Sequence, residues 1–305
     1  MGQIVLKISA DKIKQMKQHY QAYLEKTPQA AVFRAKTPNA VITAYHSGKV
    51  LFQGSAPEKE SSRWKDASAA AEPKKAKHSP SVDTTIFQKS HIGSDESGTG
   101  DYFGPITVAA VFADKEQQLQ LKQLGVEDSK HLRDDFIHQL AQKIVKLPIS
   151  YTILRLENEK YNRLQNKGWS QGKMKAMLHH HAIDKLIKKL NGTAYDGIVI
   201  DQFCTPAVYK RYLQSEALKL HDHTTFITKA ESHSINVAAA SILARARFVT
   251  AMDKLSEEAG IALPKGASST VDKAAAKYIR THGEKQLGHV AKLHFANTEK
   301  AKKYL

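Results

Sequence analysis

Cysteine is all but missing from this chain of 305 residues, where Cys204 stands alone. One thiol can form neither an internal disulfide nor a cysteine-based zinc cage, so a reducing compartment, the cytoplasm, is the expected home. Acid is scarce as well, with 30 Asp and Glu against 46 Lys and Arg and a formal charge of +16. Such an excess repels itself in a compact fold unless a polyanion spreads it, which points to nucleic acid. An ordinary basic protein kept soluble by charge has the same composition. No stretch approaches the about 18 apolar residues of a membrane helix, and Met1 to Ser9 lacks the pattern of an export signal, so no membrane partner is expected. No internal repeat of about 20 to 50 residues is visible, which argues against a solenoid. What is present is 41% hydrophobic residues, enough for a buried core in one large domain or in a small and a large one.

Residues 4 to 9 alternate as a strand, and 10 to 25 carry helical spacing through Ile13, Met16, Tyr20, Tyr23 and Leu24. Strand-like runs follow at 31 to 36, 40 to 45 and 49 to 53, the last two joined by a turn at Ser47-Gly48, and 56 to 65 reads as a helix. This β-α-β-β-β-α order describes a small α+β unit. Alternation sends Ile4, Leu6, Ile8, Phe33, Ile42, Val50 and Phe52 to one face. Lys7, Arg34, Lys36, Thr43, Tyr45, Lys49 and Gln53 go to the other, a cationic surface with one aromatic that suits a phosphate backbone. A solvated sheet face has the same pattern.

Residues 67 to 87 are rich in Ala, Ser, Pro and Lys and read as a flexible linker between a domain at 1 to 66 and another at 88 to 305. The second domain alternates strands near 88 to 94, 105 to 112, 150 to 156, 196 to 202 and 224 to 229 with helices near 133 to 146, 171 to 190, 233 to 258 and 270 to 281. That order predicts an α/β mixed sheet flanked by helices.

Acids stand at three strand ends. Asp95 and Glu96 precede Gly98 and Gly100, whose backbone freedom predicts a turn that brings both carboxylates together. Asp201 ends the run Ile198-Val199-Ile200, and Glu231 follows Phe226-Ile227-Thr228. Four carboxylates without a His or Cys set form a hard oxygen cage suited to Mg²⁺ or Mn²⁺. Taken singly, each acid also reads as a solvated surface residue.

The run GSDESGTGDYFGP from Gly93 to Pro105 resembles the signature of type 2 ribonucleases H, and its Ser-Gly-Thr-Gly detail resembles ribonuclease HIII. Asp128-Ser129-Lys130 is similar to the family's Asp-Ser-Lys element. Lys229-Ala230-Glu231-Ser232, leading into the Ala-rich run Ala238 to Arg245, resembles the family's acid and the helix after it. The resemblance covers about residues 88 to 305, and the N-terminal unit resembles the TATA-binding-protein-like domain of ribonuclease HIII.

It implies a ribonuclease H-like fold and an endonuclease cutting the RNA strand of RNA/DNA hybrids. Asp95, Glu96, Asp201 and Glu231 become the catalytic carboxylates holding two divalent ions, with 5′-phosphate and 3′-hydroxyl products. Glu231 stands where ribonuclease HII has Asp. Ser97, Gly98, Thr99, Gly100 and Lys130 become candidates for meeting phosphates and the 2′-hydroxyl. Thr99 replaces an Arg of ribonuclease HII, so single embedded ribonucleotides are expected to be poor substrates.

Asn158, Tyr161, Asn162, Trp169, Lys173 and Lys175 fall in a Gly-bearing loop and the helix after it, and suit a backbone-gripping element. Tyr161 and Trp169 are equally readable as core anchors. His179-His180-His181 cannot ligate one ion, because consecutive helical residues point about 100° apart. One of them remains a candidate proton shuttle. Lys188, Lys189, Lys300, Lys302 and Lys303 read as solvated faces. A monomer is expected. A DNA nuclease with an acidic triad and a noncatalytic nucleic-acid binder are the rival readings.

Overall fold

The computed structural model describes residues 2–28, 31–64, 84–126 and 132–305. Its contacts group into two units, Met1–Ser81 and Val82–Leu305. The division falls inside the expected linker, most of which lies outside the described residues, as does Asp128-Ser129-Lys130. The linker's expected last residues differ: Thr84–Gln88 forms a 3₁₀ turn, and Ile86 and Phe87 pack on Val199, Ile227, Ala230 and Val237. Two large apolar side chains have a core to cover there, so this end belongs to the second unit.

The first unit contains strand β1 (Gly2–Lys7), helix α1 (Ala10–His19), β2 (Leu24–Glu25), β3 (Ala31–Lys36), β4 (Ala40–Tyr45), β5 (Lys49–Gly54) and α2 (Pro57–Ser61). The antiparallel sheet has the order β1-β5-β4-β3-β2. Ser9 caps α1 by accepting from Lys12 N, and Ile13 and Met16 face the sheet. The helix stops at His19, short of the expected residue 25, because Leu24 and Glu25 pair with Ala35 and Arg34. Phe33, Ile42, Val50 and Phe52 form the buried face as expected. The other face is less uniformly cationic than expected: the paired Val5 and Leu51 form an apolar strip beside Lys7 and Lys49, with Val5 52% exposed.

The second unit is built on β6 (His91–Ser97), β7 (Ile106–Ala113), β8 (Ser150–Leu156), β9 (Gly197–Asp201) and β10 (Thr224–Ile227). Their order is β10-β9-β6-β7-β8, with β6, β9 and β10 parallel and β7 antiparallel to both neighbours. Between strands run α3 (Lys115–Gln123), α4 (Asp134–Ile144), α5 (Asn158–Asn166), α6 (Gln171–Leu190) and α7 (Pro206–Gln214). After the sheet come α8 (Ile235–Ala259), α9 (Ser269–His282), α10 (Leu287–Val290) and α11 (Asn297–Ala301). The mixed sheet flanked by helices is the expected class.

Strand alternation divides the core. Ile106, Val108, Ala110 and Phe112 pack under α6, while Ala109, Val111 and Ala113 pack under α8 and α4. A Cβ on Gly93 would lie 2.3 Å from Val237 N, so only glycine lets α8 approach β6 this closely. Small residues Ala238, Ala239 and Ala240 complete that contact. Asn236 fixes its register by donating to His91 O at 2.5 Å and Ala113 O at 3.0 Å. Helix α8 is long and apolar enough to cross a membrane by length and composition alone, yet 72% of its apolar window is buried, as in the core helix of a globular domain.

Candidate active site

Parallel pairing of β6 and β9 runs to Ser94 and Ile200, so the next residues lie side by side: Asp201 at the end of β9 and Asp95 within β6, just past its last pairing with β9. The expected turn at the acids comes later. β6 stays extended through Ser97, and the chain bends at Gly98, whose φ is 86° and where a Cβ would lie 2.3 Å from Pro105 O. Asp95 and Glu96 therefore face opposite sides of the sheet. Asp95 looks toward α8, where Ser241 hydrogen-bonds it, and its Oδ1 accepts from Glu96 N at 2.7 Å. Glu96 looks toward α6.

Asp201 Oδ1 accepts from Ala230 N at 2.8 Å, which ties the end of β9 to the 3₁₀ turn Ala230–Ser232 carrying Glu231. Lys229, at φ 57°, turns the chain out of β10 into that segment, and Glu231 is buried at 8% exposure. Burial, with the charges of Glu96 and Asp201 added to it, pushes the Asp95 carboxyl up to about 7. The neighbouring acids thus add to the cost of a charge on Asp95.

Burial acts on Glu96 in the same direction, yet His179 and the Lys175 ammonium outweigh it and hold the carboxyl down to about 2. Lys175 Nζ lies 2.6 Å from Glu96 Oε1 and His179 Nε2 lies 2.9 Å from Oε2. The far nitrogen of His179 meets Ser94 Oγ at 2.7 Å, and Ser94 donates to Ala109 O. Phe203, just beyond Asp201, stacks on His179 at 5.4 Å and lies under the Lys175 ammonium at 4.0 Å.

The three consecutive histidines diverge as helical geometry requires. His179 reaches Glu96, whereas His180 stacks on His221 at 4.7 Å.

The donor set is oxygen only at the four acids, and mutual repulsion at Asp95 is what a hard divalent cation relieves, so these residues fit Mg²⁺ or Mn²⁺. Among the described residues, however, no three or more His, Cys, Asp or Glu side chains are already drawn together as a cage. Glu96 has both oxygens turned to α6 instead.

The glycine segment is held from several sides. Gln171 Nε2 donates to Thr99 O, Gly266 N donates to Asp101 Oδ1, and Lys292 Nζ donates to the carbonyls of Asp101 and Gly104. Lys292 is fully buried, which depresses its ammonium to about 7. Ser97 and Thr99 are half-buried and Gly100 is exposed, so this edge is open to a ligand.

Other expected residues are placed differently. Asn158, Tyr161 and Asn162 sit on α5, not in a loop, and all three are buried. Asn158 donates to Gly104 O, Asn162 donates to Gly288 O and Ala291 O, and Tyr161 stacks on His294. Their amides and ring brace the fold and present no surface to a duplex. Lys173 pairs with Glu216 at 2.5 Å and lies over Trp169. In the first unit Lys7, Lys36 and Lys49 are exposed and Tyr45 is half-buried, while Arg34 pairs with Glu25 at 3.3 Å.

Sequence reasoning missed the joint action of Lys175 and His179 on Glu96. Their i, i+4 spacing opposite Ser94 and Glu96, two apart on a strand, was the available signal.

The family model described as Ribonuclease HII matches residues 92–298, and a second, Domain of unknown function (DUF3378), matches 3–78. A ribonuclease HIII of Oceanobacillus iheyensis is 63% identical over 308 residues, covering 100% of both chains. One of Bacillus licheniformis is 51% identical, covering 99% of this chain and 98% of its own. The crystal structure of Bst-RNase HIII in complex with Mn²⁺ superposes with a TM-score of 0.71 at 42% identity, covering 99% and 98%. A chain alike along its whole length, with acids side by side on adjoining strands, belongs to the ribonuclease HIII family, whose members are endoribonucleases.

Proposed function

We propose that this chain cuts the RNA strand of RNA/DNA hybrids by metal-assisted hydrolysis, leaving 5′-phosphate and 3′-hydroxyl ends. The observation that carries the reading is the juxtaposition of Asp95 and Asp201 on the paired strands β6 and β9, where burial, with the charges of Glu96 and Asp201 added to it, raises Asp95. The related Bst protein was crystallised with Mn²⁺, and the same class of ion suits this oxygen-only donor set. Two bound divalent ions would activate the attacking water and stabilise the leaving 3′-oxygen. Asp95, Glu96, Asp201 and Glu231 would hold them.

The chain's own residues supply position. Backbone N–H groups from Ser97 to Gly100, with Lys130, meet the phosphate and the 2′-hydroxyl that separates RNA from DNA. Gln171 and Lys292 brace that segment. The open sheet face of the first unit, with Lys7, Arg34, Lys36, Tyr45 and Lys49, grips the duplex backbone, and the protein acts as a monomer.

A strand-labelled substrate panel tests the reading. With Mg²⁺ or Mn²⁺ the RNA strand of a hybrid is cut, while duplex DNA, duplex RNA and single strands are spared. Cutting of duplex DNA would favour the acidic-triad DNA nuclease instead, and binding without cutting would favour the noncatalytic binder.

A further inference from the structure

Glu96 meets its two partners from one face of one helix. Lys175 and His179 are four residues apart on α6 and occupy the two carboxylate oxygens separately, at 2.6 Å and 2.9 Å. The Lys175–Glu96 pair is nearly enclosed, with the two side chains 12% and 11% exposed. In that same position the ammonium also lies over the Phe203 ring, 4.0 Å from its centroid. The carboxylates are not gathered into a cage among the described residues.

We propose that Lys175 is the counter-cation of Glu96 in the metal-free enzyme, and that a divalent ion binding at the carboxylates takes its place. The inference rests on the metal-dependent reading above. A carboxylate oxygen that already accepts from an ammonium 2.6 Å away cannot also hold a divalent ion without bringing two cations into repulsion. The singly charged ammonium is the weaker competitor for that oxygen, and the Phe203 ring it already lies over remains a partner when the ion pair is lost. The Phe203 face keeps its charge stabilised after release, whereas Glu96 deprived of every cation would be a buried uncompensated charge. Lys175 thus preserves the site before metal arrives, and weakens metal binding by competing for the same oxygen. His179, held at its far nitrogen by Ser94, stays as the fixed partner.

Calorimetric titration of the metal-free full-length protein with MnCl₂ is the first test. Lys175→Met is expected to bind Mn²⁺ about tenfold tighter, because the binding-competent form no longer competes with an internal ion pair. Lys175→Arg, which keeps the competing cation, should stay near wild type. So should Lys188→Met, on the same helix but paired with Asp184 in solvent.

The second test uses wild-type protein and reads the lysine directly by reductive methylation and mass spectrometry. Saturating Mg²⁺ should make Lys175 react severalfold faster than in the metal-free protein, with Lys188 unchanged. Unchanged or weaker Mn²⁺ binding by Lys175→Met overturns the proposal. Equal Lys175 reactivity with and without Mg²⁺ also overturns it, because a general field effect would tighten binding without moving the ammonium. A wild-type protein that takes up no Mn²⁺ removes the metal-dependent reading itself, and this inference with it.

Discussion

His179 Nδ1 stands 2.7 Å from Ser94 Oγ, two residues before the carboxylate that its other ring nitrogen meets. The ring thereby holds one strand at two points and fixes the direction of Glu96. Losing a partner that orients a metal-binding carboxylate costs about 10- to 100-fold in affinity or activity. His179→Asn should therefore lower kcat/KM on a hybrid by that amount and weaken Mn²⁺ binding. Ser94→Ala, which leaves the contact with Glu96 in place, should do less. Unchanged turnover in His179→Asn would mean that Lys175 alone orients the acid.

Asp95 and Glu96 set opposite dependences on pH. The Asp95 carboxyl is raised to about 7, so its contribution to stability is present below its ordinary value of 3.8 and is lost as pH rises through about 7. Glu96 is lowered to about 2, so its contribution is present above 4.5 and is lost only as pH falls toward 2. Between about pH 6 and pH 8 only the first of these changes. Buried Lys292, held down to about 7, acts in the opposite sense, so the Asp95 contribution is read as a difference: relative to Asp95→Asn, the metal-free wild-type protein should lose melting temperature as pH rises, and it should bind Mn²⁺ more tightly at the higher pH, releasing a proton as it does. Melting curves and calorimetry across that range check both.

Much of this arrangement was legible in the sequence because it depends on local pattern. Ile198-Val199-Ile200 before Asp201 announces a strand end, and the glycines after Glu96 announce a bend. What was not legible depends on contacts distant in the chain. Asn158 and Asn162 looked like ligands in a loop because amides suit a backbone, yet the carbonyls they meet belong to Gly104, Gly288 and Ala291. Lys175 looked like part of an element gripping a nucleic-acid backbone until α6 placed it on Glu96. The bend was expected at the acids and comes at Gly98, since a strand can run on wherever its neighbour still pairs; Ser97 still faces Thr107.

Deleting residues 1 to 66 should weaken hybrid binding while leaving Asp95, Glu96, Asp201 and Glu231, the proposed metal-holding acids, in place. A shorter protein that neutralises fewer phosphates releases fewer counterions on binding, so it should show a shallower dependence of log affinity on log salt. Fluorescence anisotropy at several salt concentrations measures it. Equal affinities and equal slopes would mean that the sheet face carrying Lys7, Lys36 and Lys49 is only solvated.

A further preference is expected from Thr99. Its carbonyl is held by Gln171, and its hydroxyl is a single short donor where ribonuclease HII has an Arg fork. Losing a charged hydrogen bond to phosphate is worth about tenfold in rate, so a continuous hybrid should be cut at least that much faster than DNA with one ribonucleotide. Thr99→Arg should narrow the ratio. Comparable wild-type rates on the two substrates would show that the backbone at Gly98 and Gly100 suffices to read the junction.

The most direct test of the carboxylate site is Asp201→Asn, which keeps an amide oxygen for Ala230 N and so preserves the local fold while removing the charge. Cleavage of an end-labelled hybrid in Mg²⁺ and binding of the same hybrid should be measured side by side. Metal-assisted cleavage at these acids requires that turnover fall by about a thousandfold or more while binding is kept or strengthened, with Glu231→Gln behaving alike. Turnover near the wild-type rate in either variant would contradict it.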